Sequence, residues 1–182
     1  MLALAFGLVA LGLLSLALLV RHYNALSGEV VIAELSMDQL GPQRFQVRIV
    51  LADGHERSVL LVGDEWQLDA RVLTWRLPAM LAGAPPLYRV ERISGRYLDI
   101  AQAREGERSV HGLAVAGGLD LGLLKQEFPR YLPFVDARFG SAAYLPMLDG
   151  ARYVVSFSGQ GGLVARPADE ASARLLEAAG WH

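Results

Sequence analysis

The sequence predicts an α+β protein: one N-terminal transmembrane helix, then a mostly antiparallel β domain, closed in part into a barrel, with short helices and a C-terminal helix. Three observations lead there. Residues 1–20, MLALAFGLVALGLLSLALLV, carry no charge and run into Arg21, His22 and Tyr23. Residues 44–51 and 65–75 alternate apolar and polar side chains with period two, the mark of half-buried strands. Glycine, proline and Asp-Gly pairs interrupt the rest at strand-length intervals.

The first element is the apolar run. At about 1.5 Å per residue it spans a hydrocarbon core of about 30 Å. A cleaved signal peptide has a basic start, an apolar core of about 7 to 15 residues and a small-residue cleavage site. Here the start is not basic and the run is longer. The one candidate site, Ala25-Leu26-Ser27, lies past Arg21 and His22, so retention as an anchor is expected. The expected organisation is a span over 1–22, a linker over 23–28 and one extramembrane domain over 29–182. Within the span Ala3, Gly7, Ala10, Leu14 and Ala17 recur at spacings of four and three. Their mostly small side chains form a stripe against which another helix, from a membrane-protein partner or a second copy, can pack closely.

Beyond the linker, Glu29 to Leu35 reads as a strand. In Arg44 to Leu51, Phe45, Val47, Ile49 and Leu51 face one side and Arg44, Gln46 and Arg48 the other. Asp53-Gly54 tolerates positive φ, which predicts a hairpin turning at Asp53 to Glu56 into a strand over Arg57 to Val62. Glu65 to Trp75 then completes a predicted four-stranded antiparallel meander, with Trp66, Leu68, Ala70 and Val72 opposite Gln67, Asp69 and Arg71. Residues 78–86 are expected to cap the sheet edge. Leu87 to Ser94 and Ser109 to Val115 read as strands ended by Gly95 and Gly117-Gly118. Asp120 is placed as the N-cap of a short helix through Phe128, stopped by Pro129. Strands over Ala142 to Met147 and Arg152 to Ser158 flank the turn Asp149-Gly150. A helix from Pro167 to Ala179, stopped by Gly180, closes the chain.

Composition bounds the function. The 182 residues are 53% hydrophobic with a formal net charge of −2 and pI near 6.1. No basic surface for nucleic acid is visible, and nucleic acid is not an expected partner. Lys125 is the one lysine among 17 basic residues, the rest being arginine, which is read as the base composition of a GC-rich bacterial genome. With no cysteine there is no lipid-modified N-terminus, disulfide, thiol chemistry or cysteine zinc site.

Candidate chemistry is sparse. His22, His55, His111 and His182 lack the spacing of metal ligands. Asp64, Glu65 and Asp69 could be drawn as an acidic site, but Asp69 shares a polar strand face with Arg71, and a cross-strand ion pair explains it better. Ala116-Gly117-Gly118-Leu119 lacks the lysine and spacing of a phosphate-binding loop. No catalytic residue, metal ligand or cofactor is expected, and the chain is read as a non-enzyme. Arg89, Glu91, Arg92, Arg96 and Asp99 with Tyr88 and Tyr97 form a mixed-charge cluster, read either as a salt-bridged sheet face or as a partner surface, because arginine and tyrosine are enriched at interfaces. Tyr131 and Phe134, in the aromatic, proline-stiffened stretch Phe128 to Phe134, are candidates for the same surface or for headgroup level.

Gly63-Asp64-Glu65-Trp66-Gln67-Leu68-Asp69-Ala70-Arg71, Leu87-Tyr88-Arg89, Ile93-Ser94-Gly95-Arg96-Tyr97, Tyr144-Leu145-Pro146-Met147, Asp149-Gly150-Ala151 and Ala165-Arg166-Pro167 resemble a proteobacterial membrane-protein family catalogued as "cation/multidrug efflux pump" or "multidrug transporter". The resemblance implies a bacterial inner-membrane location and carries no catalytic residues. Relatives with an upstream span and an arginine-rich loop imply that this chain starts inside the last span and that its domain is periplasmic; Arg21 alone, by the positive-inside rule, votes for the cytoplasm. A single span whose apolar run 1–20 offers only Ser15 as a polar group cannot build the midplane site of a transporter. The expected function is therefore a membrane-anchored, non-enzymatic accessory or scaffold protein of an inner-membrane complex, linked to efflux by the resemblance. The alternative is a membrane-tethered module whose sheet cups a lipid or small apolar ligand.

Overall fold

The computed structural model describes residues 6–7, 29–75, 87–114, 135–158 and 162–181. Apart from Phe6 and Gly7, the expected span lies outside them, as do the cap over 78–86, the helix after Asp120 and the aromatic stretch with Tyr131 and Phe134. Among the described residues no helix is long and apolar enough to cross a membrane.

Two antiparallel sheets make up the domain. β1 (Val30–Gly41), β2 (Arg44–Leu51), β3 (Glu56–Val62), β8 (Arg152–Phe157) and β9 (Leu163–Pro167) form the first, in the order β3-β2-β1-β8-β9. β4 (Glu65–Trp75), β5 (Leu87–Arg96), β6 (Val110–Gly112) and β7 (Val135–Pro146) form the second, in the order β6-β5-β4-β7. Two short helices, α1 (Ile100–Glu105) and α2 (Glu170–Ala178), complete the described elements. The mostly antiparallel α+β class expected from the sequence is what the chain adopts. The bounds of β2 and β4 are those the alternation predicts.

The predicted four-stranded meander ends after three strands. Gly63 explains why. It sits at φ +135°, and a Cβ there would lie 2.4 Å from the carbonyl oxygen of Arg96. This close approach, open only to glycine, turns the chain out of the first sheet. Asp64 N–H then donates to Arg96 O (2.7 Å) and Asp64 O accepts from Met147 N–H (2.8 Å), so β4 starts between β5 and β7. The free edge of β1 is taken by β8 instead, in the register Leu35 opposite Tyr153.

Other boundaries differ from expectation for local reasons. β7 begins at Val135 rather than Ala142, because a register shift opposite Ala70 to Val72 and Gly140 at φ +54° break the alternation without ending the strand. β6 stops at Gly112, short of the predicted strand end. Pro167, predicted as the first helical residue, ends β9, a strand the sequence did not announce. The helix starts at Glu170 behind Asp169, whose carboxylate accepts from Ser172 N–H at 2.8 Å.

The inner faces of the two sheets share one core. Ile32, Leu35, Met37, Val47, Ile49 and Leu61 meet Trp66, Leu68, Ile93 and Leu113 there, all essentially removed from solvent. Trp66 and Tyr153 pack tilted at 5.5 Å across the layers. Each fully buried aliphatic side chain contributes about 1.5–3 kcal/mol. Where sheet edges approach, side chains bridge them. Val62 N–H donates to Ser109 Oγ (2.8 Å), His111 Nε2 to Leu60 O (2.8 Å) and Arg57 Nη1 to Gly112 O (3.2 Å) along one seam. Leu163 N–H donates to Ser141 Oγ (2.7 Å) at the other. These bonds satisfy strand-edge groups that would otherwise recruit another chain.

Candidate functional site

The mixed-charge cluster singled out from the sequence falls on β5 and its neighbours. Alternation puts Val90 and Ile93 into the core, and a bulge opposite Asp69 to Ala70 lets Glu91 and Arg92 both stay on the outer side. Arg92 Nε is bound to the Asp69 carboxylate, whose other oxygen accepts from Gln67 Nε2 at 2.6 Å. Arg71 Nη2 meets Glu91 Oε1 at 2.7 Å. Glu65, only 3% exposed, faces Arg96 Nη1 at 3.7 Å. The acidic residues of this face are thus spent on arginines, as the ion-pair reading of Asp69 anticipates.

Arg96 has a second partner. Its guanidinium carbon lies 4.8 Å from the ring centre of Tyr144 on β7, a cation–π arrangement. Trp181 stands edge-on to the same tyrosine at 6.3 Å. Tyr144 is 46% exposed. A charged plane, a phenol and an indole therefore lie side by side on the outer face of the second sheet.

The structure divides the predicted surface residues. Arg89, Arg92 and Arg96 lie along the outer side of β5. Tyr88 does not join them: 36% exposed, it stacks on Phe157 of the first sheet at 5.9 Å. Tyr97 is held by its hydroxyl, which donates to Glu107 O (3.0 Å), and its ring lies against Gly106. Asp99 is the N-cap of α1, accepting from Gln102 N–H at 2.8 Å. Of the small-residue stripe only Gly7 is described, with open space at its Cβ position; Ala3, Ala10 and Ala17 lie outside, as do Tyr131 and Phe134. Tyr144, exposed, and Trp181, half-buried against the core, are not among the surface residues the sequence predicts. Tyr144 could have been found from its register opposite Gln67 on the polar side of β4; Trp181, beyond Gly180, carried no such signal.

No family model, curated protein or solved structure matches the chain. The family resemblance of the sequence rests on the residues that carry it. Several of those residues meet at one corner. Asp64 accepts from Gln43 Nε2 (2.7 Å) and Leu98 N–H (2.9 Å), which ties the β1–β2 turn and the start of α1 to β4. Both oxygens of Asp64 are thereby used for structure. Asp64, Glu65 and Asp69 point to different partners, and among the described residues no group of three histidines or carboxylates could hold a metal ion. His55 lies beside Asp53 (Nδ1 to Oδ1, 3.1 Å), and the backbone N–H of His55 lowers the Asp53 carboxyl below its ordinary range. This chemistry suits recognition of another surface: fixed guanidinium groups, a polarisable ring stack and a satisfied carboxylate framework.

Proposed function

We propose that the chain is a membrane-anchored, non-enzymatic accessory or scaffold protein of a bacterial inner-membrane complex, linked to efflux, that docks a partner protein on the outer face of its second sheet. The domain is periplasmic, in line with the family resemblance and against the weaker vote of Arg21. The observation that carries the reading is Arg96 lying over Tyr144 with Trp181 beside it, because arginine, tyrosine and tryptophan are the side chains most often dominant in interfaces. The uncharged run 1–20 supplies the anchor, and the side-chain bonds across the two sheet seams support the partly closed barrel expected from the sequence.

The test is extraction of the full chain into native polymer discs, with mass spectrometry of co-purifying proteins and lipids, compared with Tyr144→Ala and Arg96→Ala. A stoichiometric protein partner that both variants lose, by tenfold or more in affinity as expected for an interface anchor, supports the proposal. A monomer with one enriched lipid and no protein sinks it in favour of the tethered ligand-binding module.

A further inference from the structure

The strands are antiparallel, so the two ends of the domain can be told apart. At one end lie the start of β1, the β2–β3 turn, the end of β4, the starts of β5 and β7, the end of β8 and the start of β9. At the other lie the β1–β2 turn, the Gly63-Asp64 corner, the β7–β8 turn and α1, joined by Asp64, Gln43 and Gln102. The connections at the second end are tight turns, α1 and its flanks, or the short step from β9 to α2. The first end is where the chain arrives from residues 1–28 and where it leaves and returns around 76–86 and 159–161. Leaving at Ala114, beside Glu91, it is also heading towards that end, and it returns there at Val135. Solvent exposure of apolar side chains does not separate the ends, since Val30 and Val31 are exposed at one and Leu98 and Ile100 at the other. The path of the chain does.

Resting on the anchor reading above, we infer that the β1-start end of the double sheet sits on the lipid surface and that α1 points away from it. The linker 23–28 reaches at most about 20 Å even when fully extended. β1 is 12 residues long and rises about 40 Å over its length. Val30 is therefore held close to the headgroups, where exposed Val30, Val31 and the edge of Tyr88 meet lipid. An orientation with α1 on the bilayer would require the linker to run the length of the sheet, which it is too short to do. The partner of this end is a lipid surface. Whatever binds near α1 meets the domain well above the bilayer.

The absence of cysteine makes the test clean, because any introduced cysteine is the only one. The full chain carrying Ala52→Cys, beside the β2–β3 turn, or Ala103→Cys, on α1, is labelled with a donor dye. Each is reconstituted into phosphatidylethanolamine and phosphatidylglycerol vesicles with an acceptor on the headgroups. Both positions are exposed, so neither change disturbs the core. Energy transfer several-fold stronger from position 52 than from position 103 is expected. Flotation with the vesicles but equal or reversed transfer overturns the orientation alone. Failure to float with them overturns the anchor reading, and the orientation with it.

Discussion

Tyr153 shows how much one side chain is asked to do. It is fully buried, packs on Trp66 and donates its hydroxyl to Pro146 O at 2.7 Å, joining β8 to the end of β7. Burial pushes its ionisation well above the ordinary value of 10. Its contribution to stability is therefore complete below pH 10 and falls as pH rises beyond it, because the unfolded chain ionises first. Tyr153→Phe leaves Pro146 O without its donor and should cost about 1–2 kcal/mol in denaturant unfolding, with no phenolate signal from the wild-type residue until the chain unfolds. Asp169 has the opposite sign. The N–H of Ser172, with Arg152, holds its carboxyl at about 2 rather than 3.8. Its stabilisation is present above pH 3.8 and lost as pH falls towards 2. Carboxyl chemical shifts should give that titration directly; a value of 3.8 or more would show the cap to be open in solution. Glycines 63 and 95 tolerate no side chain. A Cβ at Gly95 would lie 2.0 Å from Val62 O, and Gly95→Ala should cost about 3 kcal/mol in unfolding experiments.

The two helices differ in what holds them. α1 buries none of its residues, whereas α2 buries Ser172 and Leu176. α1 stays in place through Asp99, the Gln43–Gln102 contact and Tyr97 against Gly106. Removing its cap with Asp99→Ala should raise hydrogen exchange across 100–105 while leaving global stability within about 0.5 kcal/mol, the range for surface changes. Leu176→Ala in α2 should cost about 2–5 kcal/mol globally. That contrast also explains what the sequence made legible. β2 is legible because its buried residues Phe45, Val47, Ile49 and Leu51 alternate with more exposed ones, and β4 because Trp66, Leu68 and Ala70 are buried between half-buried polar residues. α1 was invisible because a helix that buries nothing shows no apolar stripe. β9 is not legible because only the first of its five residues, Leu163, is buried and the strand ends in a proline that reads as a helix start. The arginines of the candidate site are legible from their clustering; the side of β5 that Tyr88 takes is not, because nothing local marks the bulge at Glu91.

At the scale of the whole molecule, sequence patterning identified strands but not the sheet each joins. The four-strand meander failed at Gly63 because a backbone contact with Arg96, far away in sequence, decides the turn. The seams depend on similar contacts. Ser109, buried, accepts from Val62 N–H, and Ser109→Ala should cost about 1–3 kcal/mol by leaving that donor unpaired. In that variant amide hydrogen exchange at Val62 should speed up before that of the neighbouring β3 residues. The order of the first sheet also has a consequence for how the protein is made. β1, β2 and β3 can pair as soon as they are synthesised, yet the other edge of β1 waits for β8, near the end of the chain. At about 5–20 residues per second, a ribosome leaves that edge bare for several seconds. A nascent chain stalled before residue 152 should therefore need a chaperone that masks strand edges, and should aggregate when released without one.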